Sequence, residues 1–285
     1  MSAGDGRAIV YESSLSTLRP AHDTDYTCKM DYVAINGQAW DEEVGRGNTW
    51  TIPVDSETIE AAKNGVIEIS LTTFRPVPRA WIGEVQGKRV LCLAGGGGQQ
   101  GPVFAAAGAI VTVFDNSARQ LEQDRKVAKR EGLEIIIEQG DMLDLSRFAD
   151  GSFDLIFNPV SNCFVDTLQP IWDSCYRILS TGGRLLTGIT NPILYMFDQK
   201  AEAKGKLTVK YTLPYSDIKS LSTRQLQKLI KANETIEFSH TLELQIGGIC
   251  SAGFAVTGFF SDESGVEPLD SFVHDCYLAV MAEKR

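Results

Sequence analysis

Between residues 87 and 190, short apolar runs alternate with amphipathic helical patterns, and no other feature of the chain restricts its fold as much. Arg89-Val-Leu-Cys-Leu93, Ile110-Val-Thr-Val-Phe114, residues 134–138, Phe153-Asp-Leu-Ile-Phe157 and residues 184–189 each have the length and branched or aromatic content of a buried strand. Residues 99–107 are small and apolar, as in a helix packed closely on a sheet, and Ser117 opens a helical pattern that Gly132 closes. Residues 166–179 carry the apolar stripe of an amphipathic helix. A crossover long enough to hold a helix is what parallel strands need and antiparallel hairpins do not. The alternation therefore predicts an α/β fold, a mostly parallel sheet with helices on both faces.

The flanks read differently. In residues 1–80, Tyr32, Asn36 and Trp40 fall at helical spacing, and Asp55-Ser56-Glu57 begins a helix that ends near Asn64-Gly65. Residues 66–73 alternate and predict a short strand, and Pro76 and Pro78 mark a linker. Residues 1–80 are thus expected to form an N-terminal cap or lid, with the sheet domain over 81–285. Within that domain an insert is expected at about 200–240, with a strand over 204–213 and a helix over 222–232. Residues 241–252 read as a helix despite Gly247 and Gly248. Residues 254–260 and 276–282 read as two closing strands of a long hairpin.

Charge and cysteine usage narrow the partners. The formal charge of −10 suits neither phosphate neutralisation nor nucleic-acid binding, and favours a small-molecule partner. No apolar run approaches the ~20 residues that span a bilayer, and no signal-peptide pattern opens the chain, so a cytoplasmic protein without membrane partner is expected. The six cysteines are scattered, with no Cys-x-x-Cys pair, and read as thiols in a reducing compartment rather than metal ligands.

The chemistry concentrates at Val90-Leu-Cys-Leu-Ala-Gly-Gly-Gly-Gly-Gln99. Glycines between a strand and a helix let backbone approach a ligand, although a plain tight turn uses the same residues. Asp115, at the end of the second run, can accept ribose hydroxyls or cap the following helix beside Ser117. Asp141 and Met142 follow the third run, where an acid can bind an adenine amino group and a thioether can pack on its ring.

This ordered set resembles the class I S-adenosylmethionine-dependent methyltransferases, in particular the small-molecule branch akin to ubiquinone and menaquinone methyltransferases. The resemblance covers about residues 89–190. It implies a Rossmann-like seven-stranded sheet with an antiparallel last strand, S-adenosylmethionine as cofactor and S-adenosylhomocysteine as product. Ala94, Gly95 and Gly96 would line the methionine moiety, Asp115 would hold the ribose, and Asn116 and Gln120 would flank the adenosine. Asp141 and Met142 would hold adenine, and Asn158 would border the methyl group. The family's glycine loop starts with an acid where this chain has Cys92, and its first glycine is Ala94 here; Gln99 and Gln100 would supply polar contacts in compensation. Methyl transfer needs alignment more than a dedicated base; His240 is the candidate base, with a structural histidine as the alternative. Tyr32, Trp40 and Trp50 would form a lid or simply pack the cap.

Two other readings remain open on sequence. A nicotinamide-dependent oxidoreductase shares the loop and the strand-end acid, and Tyr215-Ser-Asp-Ile-Lys219 has the Tyr-x-x-x-Lys spacing of short-chain dehydrogenases. A nucleoside-cofactor-binding protein without catalysis is the other.

Overall fold

A computed structural model describes residues 30–285. The first five strands are β1 (Arg89–Leu93), β2 (Ile110–Asp115), β3 (Ile135–Gln139), β4 (Phe153–Asn158) and β5 (Leu179–Thr190). Two more, β6 (Phe254–Asp262) and β7 (Tyr277–Lys284), close the chain. They form one seven-stranded sheet in the order β3-β2-β1-β4-β5-β7-β6. The first five run parallel, whereas β7 lies antiparallel to both β5 and β6. This is the expected Rossmann-like sheet. Its strand order reverses between β1 and β4, which opens a crevice at the carboxyl ends of the strands.

Alternation along each central strand explains the two layers. Leu91 and Leu93 enter one core with Phe114, Ile156 and Trp172. Val90 and Cys92 enter the other with Val111, Val113, Leu155 and Phe157. Strands buried on both faces need helices on both; apart from α1 (Tyr32–Arg46), which packs on another helix rather than on the sheet, these are α2 (Ser56–Lys63), α3 (Arg79–Ile82), α4 (Gln100–Ala106), α5 (Ala118–Glu131) and α6 (Gln169–Ile178). Their ends follow capping chemistry. Asp31, Asp55 and Ser117 side chains accept the first-turn N–H groups of α1, α2 and α5, and Gly47 and Gly132 close α1 and α5 in the left-handed conformation.

Several expectations need correction. Residues 66–73 contribute only an isolated bridge, Ser70 to Pro76. Their alternation is real, because Ile67, Ile69 and Leu71 are buried. It reports burial of one face of an extended segment, not pairing. Residues 204–213 also hold only one bridge, Phe197 to Val209, and are mostly exposed. Strand β5 starts at Leu179, earlier than the 184 expected, through a register shift beside β4. The helix over 223–231 is present, and 243–251 is helical with a π turn. Gly248 fits there because a Cβ would lie 2.8 Å from Trp172. Of the cysteines, Cys92, Cys163, Cys175 and Cys276 are buried free thiols and Cys250 is exposed; Cys28 and residues 1–29 of the cap lie outside the described residues. Among the described residues no helix is long and apolar enough to cross a membrane, and no cluster of ligating side chains could hold a metal.

Candidate functional site

The loop after β1 is held by carboxylates from below. The Gly96 N–H donates to Asp115 Oδ2 at 3.0 Å, and the Gly97 and Gly98 N–H groups donate to Asp124 Oδ2 at 3.0 and 3.1 Å. Asp124 is fully buried beneath the loop, and its Oδ1 has no partner. Burial pushes its pKa up to about 7, against the N–H bonds of Gly98 and Gly97. Asp115 accepts the Ser117 N–H through Oδ1 at 2.9 Å, and burial raises its pKa too. Loop N–H groups committed to carboxylates are not free to cradle a diphosphate, which would also meet repulsion here.

The backbone of the loop is tight. Ala94 has φ 47°, in the left-handed region, and Gly97 and Gly98 have φ 120° and 72°. A Cβ at Gly96 would lie 2.8 Å from the Gln120 Cβ and 3.2 Å from Asp115 Oδ2. Only glycine lets the backbone pass between these side chains.

Above the loop a cavity of about 440 Å³ runs across the switch point, within the size range of small-molecule sites, about 300–1,000 Å³. One half is built by the β1-β2-β3 side of the sheet. There the structure brings together Ala94, Gly95, Gly96, Gln99, Asp115, Asn116, Gln120, Asp141 and Met142. Gln120 is 5% exposed, and its Oε1 has no partner. Asp141 accepts the Leu143 N–H at 2.9 Å, and burial raises its pKa. The roof comes from the N-terminal segment: Val33, Asn36 and Trp40 of α1, and Trp50. Gln99 is partly spent on that roof, donating to the Thr49 and Ile52 carbonyls at 3.0 Å each.

Three sequence candidates lie elsewhere. Asn158 does not line the cavity: it is fully buried beneath it, with Nδ2 donating to the Leu93 carbonyl and Ser161 Oγ and with Oδ1 accepting from Thr187. His240 is also outside the lining. Its Nε2 lies 2.8 Å from the Val165 carbonyl, and burial pushes its pKa below the ordinary histidine value. Its Nε2 is thus engaged with backbone, as in the structural alternative. Tyr32 donates to Asp166 rather than facing the cavity.

The other half of the cavity lies on the β4-β5-β7 side and was not anticipated. Tyr195, Glu237, Tyr277 and Cys163 line it, with Leu194, Val266 and Leu269. Tyr195 donates to Glu237 Oε2 at 2.7 Å. Asp124 carries one signal in the sequence: in α5 it sits three residues from each of Leu121 and Val127, on the buried stripe.

A family model described as a methyltransferase domain matches residues 91–187. The chain is 49% identical over 242 residues to an uncharacterized methyltransferase of Bacillus subtilis, covering 85% of this chain and 94% of that protein. The chain belongs to the class I S-adenosylmethionine-dependent methyltransferases. A sterol 24-C-methyltransferase of Gibberella zeae is 32% identical over 105 residues, 36% of this methyltransferase and 27% of that enzyme. In fold, it resembles an S-adenosylmethionine-dependent methyltransferase from Mesorhizobium loti, with a TM-score of 0.54 and 21% identity over 72% of this chain and 94% of that one.

The methyltransferase is accordingly an enzyme with S-adenosylmethionine as its cofactor, which sets aside the nicotinamide and non-catalytic readings. The Tyr-x-x-x-Lys spacing is incidental: Tyr215 is buried and donates to Asp217, while Lys219 is exposed.

Proposed function

We propose that this methyltransferase binds S-adenosylmethionine in the β1-β2-β3 half of the cavity and a small-molecule acceptor in the β4-β5-β7 half. The observation that carries this reading is one continuous cavity spanning the switch point, lined at its cofactor end by Asp115, Asn116, Gln120 and Asp141. Ala94, Gly95 and Gly96 border the methionine moiety. Asp115 receives the ribose hydroxyls, and Asn116 borders the adenosine with Gln120. Asp141 accepts from the adenine amino group while Met142 packs on the ring. When bound, the cofactor supplies an electrophilic methyl group on a positively charged sulfur. The chain's part is to align the acceptor behind that carbon and to exclude water, which can contribute ~7–11 kcal/mol through effective molarity.

The size of the cavity, about 440 Å³, favours a small molecule over a polymer. Residues 31–80 act as a cap, the segment after β5 walls the acceptor, and the unpaired cysteines fit a cytoplasmic setting. Titration calorimetry tests the placement. Wild-type protein should bind S-adenosylhomocysteine, and Asp115→Ala should weaken that binding about tenfold or more, the loss of a charged hydrogen-bonding partner. Unchanged affinity in the variant would remove Asp115 from the site.

A further inference from the structure

The acceptor half of the cavity has a distinctive electrostatic composition. Among the described residues, the whole lining contains Asp115, Asp141, Glu202 and Glu237, and no Lys, Arg or His. Asp115 and Asp141 belong to the β1-β2-β3 half. That leaves Glu237 and Glu202 on the acceptor side.

Glu237 is held in place on all sides. Its Oε2 accepts from the Tyr195 hydroxyl at 2.7 Å and its Oε1 from Thr235 at 3.3 Å. Its backbone N–H donates to Asp217 Oδ2 at 2.7 Å, and its carbonyl accepts the Asp217 N–H at 3.0 Å. No Lys or Arg forms an ion pair with it among the described residues. Burial raises the pKa of the carboxyl, and also those of the neighbouring Cys163, Tyr195 and Tyr277, which therefore stay neutral. A half-buried carboxylate without a cation is costly, and a ligand cation, which favours the ionised form, is its natural complement. Tyr195 and Tyr277 add aromatic surface, to which cations are attracted, and Leu194, Val266 and Leu269 add an apolar wall.

Resting on the cofactor placement proposed above, we infer that the acceptor is an amine with an apolar body, its nitrogen bound by Glu237 between Tyr195 and Tyr277. The reaction balances without a further reactant. The ammonium gives one proton to the Glu237 carboxylate, and the freed nitrogen lone pair forms the N–C bond to the methyl carbon. The C–S bond breaks, its pair passing to sulfur to give neutral thioether. The product is the methylated ammonium, and Glu237 later returns its proton to water. Carboxylate and phosphate acceptors are disfavoured by the same lining.

The test uses the full chain and three matched probes, 2-phenylethylamine, 2-phenylethanol and 3-phenylpropionate. Binding to the S-adenosylhomocysteine-loaded protein is measured by calorimetry, and methylated product by mass spectrometry with S-adenosylmethionine present. The amine should bind about tenfold or more tightly than the alcohol or acid, and should be the probe that is methylated. In Glu237→Gln, which preserves size and an acceptor for Tyr195, that preference should disappear while S-adenosylhomocysteine affinity stays within about twofold. Equal binding of amine and alcohol, preference for the acid, or an unaltered preference in Glu237→Gln would overturn the inference while leaving the cofactor placement intact. Failure of Asp115→Ala to affect S-adenosylhomocysteine binding would instead undo the placement and, with it, this inference.

Discussion

The side-chain amide of Asn36 grips both sides of the Ile236 peptide backbone. Its Oδ1 accepts the Ile236 N–H at 2.7 Å and its Nδ2 donates to the Ile236 carbonyl at 3.0 Å, as a neighbouring strand would. The same Nδ2 donates to the Phe164 carbonyl at 3.0 Å. One residue of α1 thus ties the roof of the cavity to the segment that presents Glu237. Asn36→Ala would leave a buried N–H and two carbonyls without partners, so it should destabilise the protein by about 2–4 kcal/mol. Urea denaturation of the two proteins checks this, and a loss below about 1 kcal/mol would show that water replaces the clamp.

Asp124 should make stability fall as pH rises. Its folded pKa of about 7 lies above the unfolded value of 3.8, so across that window the native state holds a proton that the unfolded chain has released. Asp115 on β2 and Cys92 on β1 are the titratable groups that face it, and neither supplies a positive charge. The contribution amounts to about 4 kcal/mol, at 1.36 kcal/mol for each pKa unit. Asp124→Asn keeps an oxygen for the Gly97 and Gly98 N–H groups and does not ionise. Compared at about pH 5 and about pH 8, wild type should lose more stability than the variant; parallel behaviour would mean that Asp124 stays ionised.

Gly188 should tolerate no side chain. A Cβ there would lie 2.3 Å from the Leu71 carbonyl oxygen and 2.9 Å from both the backbone N and the Cγ2 of Val160. Two of those atoms are backbone, and the Val160 N–H donates to the Leu71 carbonyl at 3.1 Å across the glycine. Gly188→Ala should cost about 3 kcal/mol through forced separation of these segments. A thermal melt at wild-type temperature would contradict it.

Ala94→Gly should act the other way. Removing the Cβ relieves left-handed strain of roughly 1–2 kcal/mol, and the added unfolded-state freedom offsets about 0.4–1 kcal/mol of that. A net gain of about 0.5 kcal/mol is expected, seen as a small rise in melting temperature. A fall would mean that the Ala94 methyl group has packing worth more than its strain.

What could be read from the sequence was local. The strands, the glycine loop and Asp115 are each set by the residues within one strand–turn–helix unit, so periodicity and turn chemistry reveal them. Glu237 and Tyr195 could not be read this way. They are 42 residues apart, and each meets the other only because the chain after β5 folds back on itself beside the cavity. His240 stayed open between two roles because a histidine beside polar residues looks the same in sequence whether its ring faces a ligand or a carbonyl. Residues 66–73 misled because alternation records a buried face and says nothing of a pairing partner. In the same way, Asp124 carried its signal as an acid on an apolar stripe, which is informative only once something polar is known to lie beneath it.

The absence of basic side chains from the described lining has a consequence for turnover. S-adenosylmethionine enters with a net positive charge, and the methyl transfer converts its sulfonium to an uncharged thioether. With the cofactor seated as proposed, the field of Asp115, Asp141, Glu202 and Glu237 attracts the incoming molecule more strongly than the spent one. The chemical step thereby weakens the grip on its own by-product, and exchange of used cofactor for fresh is favoured by the charge of the walls.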